Sequence, residues 1–197
     1  MSKIEQRLRE RSSNILENLN EFEDIIEIFS KKIFKTLNNG NKLLFCGNGG
    51  SAAESQHMAA EYCATLNHHN PRKGFKAMAL TVDTSFITAW SNDFGFEGIF
   101  ERQIETLGEE NDMLICYSTS GSSKNIIKGA LEAKRKKMHV LAFTGNSKEN
   151  KLVDIADYSF IAPSSNTAMI QEMHTIIGHE VCLSVEKSIA THNRLTN

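Results

Sequence analysis

Five short strand-forming runs, separated by stretches of helical periodicity, constrain this 197-residue chain more than anything else in it. They are KLLFC (42–46), FKAMAL (75–80), DMLICYS (112–118), HVLAFT (139–144) and YSFIA (158–162). KLLFC is almost wholly apolar, which marks a strand covered on both faces. Strands that alternate with helices need crossover connections, and crossovers make neighbouring strands parallel. The expected class is therefore α/β, a three-layer αβα sandwich around a mostly parallel five-stranded sheet.

Ahead of the first strand, Ile4, Leu8, Ile15, Leu16 and Leu19, then Phe22, Ile25, Ile26, Phe29, Ile33 and Leu37, fall at helical spacing. They predict two helices meeting near Asn20, the second closed by Asn38-Asn39-Gly40. The segment from about Thr167 to Ala190 reads as a long helix with apolar residues on more than one face, so it should pack on several sides. No low-complexity stretch or Pro-rich linker divides the chain. The expectation is one domain over residues 1–197, with residues 1–39 as an N-terminal helical extension and the terminal helices in oligomer packing.

Charge excludes one class of partner. The 22 Lys and Arg against 24 Asp and Glu give a net charge of −2, too small an imbalance for bulk nucleic-acid binding. The first residues, MSKIEQRLRERSSNILENL, are charged where a signal peptide needs an apolar stretch, and no apolar run approaches membrane-spanning length. Cys46, Cys63, Cys116 and Cys182 form no CxxC pair and read as reduced, mostly buried thiols. The cytoplasm is the expected compartment.

In an open α/β sheet, ligands collect at the carboxyl ends of the strands. Two loops there are unusual. Cys46-Gly47-Asn48-Gly49-Gly50-Ser51 leads into a helix whose N-terminus should face an anion. Ser118-Thr119-Ser120-Gly121-Ser122-Ser123 offers five hydroxyls that can bond phosphate oxygens without adding charge. Taken singly, the first is as often a tight turn and the second as often an N-cap. Two such loops at one sheet edge point to a phosphate cradle.

Gly47-x-Gly49-x-x-Ala52 fits a dinucleotide fingerprint, but Asn67-His68-His69 stand where its ribose-binding acid belongs. No Walker motif occurs. His57 and Glu61 lie four residues apart, on one helix face, where they can share a metal, act as acid and base, or merely pair on the surface. His179-Glu180 opens an HExxH pattern that Leu183 breaks, which excludes a zinc protease. Gln171 and His179 are eight residues apart, about 12 Å along a helix, too far to grip one ion easily from one chain. If both serve one site, different subunits supply them. His174 reads as a core or surface residue, Lys134-Arg135-Lys136-Lys137 as a solvated helix end complementing the helix dipole, and His68-His69 as loop.

CGNGGSAAESQHMAAE, Asn92-Asp93-Phe94-Gly95-Phe96, STSGSS, and Ile170-Gln171-Glu172-Met173-His174 followed by His179 resemble, in order and over most of the chain, the sedoheptulose-7-phosphate (phosphoheptose) isomerases. The resemblance implies the sugar isomerase (SIS) fold, a homotetramer, and one zinc per subunit. It implies His57, Glu61, Gln171 and His179 as metal ligands, with Glu61 and His179 as the catalytic acid-base pair. It places Asn48, Gly49, Gly50, Asn92 and Asp93, together with Glu61 and Gln171, on the phosphorylated seven-carbon sugar. Ser118, Thr119, Ser120 and Ser123, helped by Ser51, would hold its phosphate. Two arginines of many relatives are replaced here by Thr65 and Met169, and Arg72 is one candidate to supply a lost contact. The DnaA initiator-associating protein, a non-catalytic relative of the same fold, is the alternative, but it is not expected to keep the whole metal set.

Overall fold

A computed structural model describes residues 2–196, with side chains to residue 192. Helices α1 (Lys3–Glu17) and α2 (Leu19–Asn38) precede the sheet. Then come β1 (Leu43–Gly47), α3 (Gly50–Cys63), β2 (Ala77–Ala79), α4 (Thr84–Phe94), a 3-10 turn at Phe96–Gly98, α5 (Ile99–Leu107), β3 (Met113–Ser118) and α6 (Lys124–Arg135). The chain continues through β4 (His139–Gly145), α7 (Lys151–Ile155), β5 (Tyr158–Ala162) and α8 (Thr167–Thr196). All five strands are parallel, in the order β2-β1-β3-β4-β5. The expected α/β class and five-stranded parallel sheet are what the chain forms.

Period-two alternation divides the core. Leu43, Phe45, Ile115, Tyr117, Leu141 and Phe143 point to one face, where α2, α3 and α8 cover them. Leu44, Cys46, Leu114, Cys116, Val140 and Ala142 point to the other, under α5, α6 and α7. Both faces are thus buried, as the apolar strand runs require. The first two helices meet at Asn18, near the expected Asn20. Asn18 ends α1 through its N–H to the Ile15 carbonyl (3.2 Å) while its side-chain amide donates to the Asn14 carbonyl (2.7 Å). Strand β2 covers only residues 77–79 of the expected 75–80, and the Phe75 N–H goes instead to the Tyr62 carbonyl (3.1 Å).

Helix α8, at 30 residues, runs beyond the expected Ala190. Its Ile170, Met173, Ile177, Val181 and Val185 enter the core, and it packs against α2 as well as α3. No helix among the described residues is long and apolar enough to cross a membrane. The basic run at the end of α6 is neutralised locally: Lys134 pairs with Asp157, Arg135 with Glu132 and Lys137 with Glu110, while Lys136 donates to the Glu105 carbonyl. Cys46, Cys116 and Cys182 are buried, Cys63 is exposed, and all four are free thiols.

Candidate active site

Helices α3 and α8 lie side by side on one face of the sheet and run parallel, in a nearly constant register. Thr175 Oγ1 donates to Glu54 Oε2 (2.8 Å) across a separation of 121 residues, and His179 meets His57 across 122. Farther along, Thr65 Oγ1 and the Leu66 N–H donate to Glu186 Oε1 across 121 and 120. At the opposite end, Gln171 Nε2 lies against Gly50, only 2.5 Å from where a methyl group on that residue would stand. This register decides which chemical groups share a site.

It brings three of the expected metal ligands together. His57 Nε2 lies 3.2 Å from His179 Nε2 and 3.3 Å from Glu61 Oε1, and ligand atoms of the three residues fall within 4.8 Å of one another. Ligand atoms around a tetrahedral zinc with bonds of about 2.0–2.1 Å stand about 3.3–3.4 Å apart. Two imidazole nitrogens facing each other need a proton or a cation between them, and a nitrogen and carboxylate set is one that zinc accepts. The donor chemistry therefore fits a divalent cation. Gln171 is not part of this cluster; it stands beside Gly50, two turns of α8 away from His179.

Glu54, one turn before His57 on α3, sits under the same cluster. Its Oε2 is 3.9 Å from His57 Nδ1, and its Oε1 is buried with no hydrogen-bond partner. A cleft of about 420 Å³ between the two helices is lined by Gly50, Glu54, His57, Gln171 and Thr175, among others.

The two loops behave differently from each other. In the first, the Ser51, Ala52 and Ala53 amides, expected to face an anion, bond back to the Asn48 and Gly49 carbonyls at 3.0–3.1 Å. Gly49 caps α3, Ser51 is buried in its first turn, and Asn48 exchanges two 2.9 Å bonds with Asn125 at the start of α6. That reciprocal pair locks the two loops together. Asn125 was not foreseen, since an asparagine inside a helix start carries no signal of a partner 77 residues away.

In the second loop, the buried Ser118 Oγ accepts the Gly121 N–H (3.1 Å), and Ser120 Oγ accepts from the Ser122 N–H and hydroxyl. Gly121 has φ of +64°, and a methyl group there would collide with Asn150 Oδ1. Thr119 and Ser120 open into a cavity of about 330 Å³ that Asn146, Ser147, Ser164, Ser165 and Thr167 also line. These further hydroxyls follow β4 and β5 as the others follow β3, so the same signal, hydroxyls after a strand, would have found them. Ser123 caps α6 just beyond this cavity.

Asn92 and Asp93 end α4, are exposed, and bond to each other at 2.8 Å; within this chain they join neither cluster. His174 is a core residue: it is buried among Tyr117, Phe143 and Phe160, with Nε2 3.1 Å from the Thr144 carbonyl, and burial pushes its pKa down to about 4. His68 and His69 are exposed loop residues. Met169 packs at the edge of the core, its sulfur 3.9 Å from Ser164 Oγ.

Arg72 is fully committed to structure. Its Nε donates to Glu186 Oε1 (2.9 Å), Nη1 to the Tyr62 and Ala64 carbonyls, and Nη2 to the carbonyl of Glu61 (2.9 Å). It therefore clamps the last turn of α3, which carries Glu61, and its guanidinium is taken up there instead of supplying the contact of a missing arginine.

The SIS domain family model matches residues 8–145. A phosphoheptose isomerase of Roseiflexus sp. (strain RS-1) is 45% identical over 84% of this chain and 82% of its own length. Another, of Burkholderia pseudomallei, is 47% identical over 76% of this chain and 75% of its own. Among solved structures, a phosphoheptose isomerase from Francisella tularensis is 34% identical, with a TM-score of 0.88, over 95% of this chain and all of that one. Paired hydroxyl loops, an acid-imidazole cluster and these likenesses agree: the chain belongs to the SIS domain family and, within it, to the phosphoheptose isomerases.

Proposed function

We propose that the chain interconverts sedoheptulose 7-phosphate and D-glycero-D-manno-heptose 7-phosphate, with Glu61 and His179 as its acid-base pair and a zinc ion at His57, Glu61 and His179. The observation that carries this reading is the convergence of two imidazoles and one carboxylate between α3 and α8, the latter helix starting at a hydroxyl-lined cavity. When bound, the cation polarises the oxygens of the reacting carbonyl and hydroxyl. The hydroxyls of Ser118, Thr119, Ser120 and Ser123, with Ser51, bind the phosphate, and Asn48, Gly49 and Gly50 line the approach to the reacting end.

The reaction needs one proton moved between two carbons. A carboxylate oxygen of Glu61 takes a proton from C1 of the ketose while His179 gives the proton of Nδ1, the ring nitrogen that does not face the cation, to the C2 oxygen, and a cis-enediol results. Return of a proton to C2, with loss of the C1 hydroxyl proton, yields the aldose. Glu61 has two oxygens, so one can face the cation while the other carries the proton. Gln171, held beside Gly50 in its own chain, is read as serving the cage of a second copy, consistent with a homotetramer; Asn92 and Asp93, exposed on α4, are read the same way toward the sugar.

The test is turnover of sedoheptulose 7-phosphate by the purified protein before and after treatment with a chelator. Activity should vanish on chelation and return with zinc. No turnover with zinc supplied would favour a binding protein on the same fold.

A further inference from the structure

Glu54 is nearly as buried as Glu186, with its side chain 12% exposed against 8%, yet the two carboxylates are bonded very differently. Glu186 accepts from Thr65 Oγ1, the Leu66 and Asn67 amides and Arg72 Nε, so its charge is fully answered within the fold. Glu54 accepts one hydroxyl, that of Thr175, and its Oε1 has no partner. A carboxylate has about four acceptor sites over its two oxygens, so Glu54 has capacity left on Oε2 as well as on Oε1, and a buried carboxylate so under-bonded costs stability until a further donor answers it. Among the described residues, the one basic group at ion-pair range of Glu54 is His57, through Nδ1 at 3.9 Å.

The other nitrogen of the same ring, Nε2, faces Glu61 and His179. A histidine that offers Nε2 to a cation carries its single ring proton on Nδ1, and metal-bound histidines commonly donate that proton to a carboxylate, which sets tautomer and ring orientation. We propose that Glu54, anchored by Thr175, is the positioning residue of the cage: its Oε2 receives the His57 Nδ1–H and so holds Nε2 toward the cation. The gap of 3.9 Å is about 1 Å longer than a hydrogen bond of ~2.9 Å, a difference that a small rotation of the ring closes. The inference rests on the reading of the cluster as a metal cage, and it assigns Glu54 no contact with substrate.

The experiment titrates metal-stripped wild type, Glu54→Gln and Glu54→Leu with Zn²⁺ against a chromophoric chelator, and records the melting temperature of each metal-free protein. Glu54→Leu should bind zinc roughly 10- to 100-fold more weakly, and Glu54→Gln, which keeps an acceptor but loses the charge, by a smaller factor. Metal-free Glu54→Gln should melt at the wild-type temperature or above it, because an unanswered buried charge has been removed. Zinc affinity within about twofold of wild type in both variants would overturn the proposal, since that is well below the loss expected when such a partner is removed. A lower melting temperature of metal-free Glu54→Gln would also overturn it, by making Glu54 an element of the fold. Wild type that binds no zinc would sink the metal reading itself, an outcome distinct from variants that bind as well as wild type does.

Discussion

The two ends of the α3–α8 seam are built from the same materials to opposite purposes. At the far end, Arg72 and Glu186 satisfy one another and a whole turn of backbone, with six different acceptors or donors between Glu61 and Asn67 drawn in. About two turns nearer the start of both helices, His57, Glu61 and His179 crowd together with fewer partners than they could take, and Glu54 beneath them has an oxygen left over. Satisfied polar groups fix a register; unsatisfied ones wait for a ligand. The closed end thus holds Glu61 at the level of His179, and the open end uses that alignment.

Substitution at the two ends should separate these roles. The largest effect is expected at the open end, where Glu61→Gln and His179→Gln should each lower kcat by roughly 10²- to 10⁴-fold, the range for a lost acid or base, with the melting temperature held. Retained turnover in either variant would remove it from the acid-base pair, and a collapsed fold would erase the contrast between the ends.

Next comes the closed end. Arg72→Met leaves Glu186 charged and buried without its cation, which should cost about 3–5 kcal/mol in denaturant unfolding. The double variant Arg72→Met/Glu186→Leu should recover part of that loss. If Arg72→Met unfolds at the wild-type denaturant concentration, the clamp is not what fixes the register.

The smallest effect lies between α8 and the sheet. His174 is held neutral by burial, with a folded pKa of about 4 against the ordinary imidazole value of 6.5. Between those values the unfolded chain binds a proton that the folded chain does not, so stability is lost as pH falls from about 6.5 toward about 4. The full loss is about 3 kcal/mol at 1.36 kcal/mol per pH unit. His174→Phe should flatten that limb of the stability curve while leaving the zinc affinity of the cage alone. An acid limb unchanged in His174→Phe would show that other groups set it.

Much of this architecture was legible in the amino-acid order. The five strands appear because residues buried on both faces of a parallel sheet must be apolar at every position, and LLFC or LICY leave no other reading. The hydroxyl loop after β3 was visible for a similar local reason. The foreshortening of β2 was not, since it goes with the bond of the Phe75 N–H to the Tyr62 carbonyl on α3, a contact outside the sheet. The hydroxyls after β4 and β5 were in plain view, but their convergence on the cavity of Thr119 and Ser120 depends on strand order.

The sequence by itself determined the layers, the two loops and the pairing of His57 with Glu61, because each follows from spacing of two, three or four residues along one element. Only the tertiary structure decided that His179 rather than Gln171 meets that pair, that Arg72 serves the backbone rather than the cage, and that Glu54 lies beneath His57 with an oxygen to spare. Those facts depend on the register between two helices some 120 residues apart, for example Leu66 with Glu186. No local pattern encodes such a register. It is set where both helices pack against one sheet face, with the Gln171 amide against Gly50 at one end and the Arg72–Glu186 clamp closing the other.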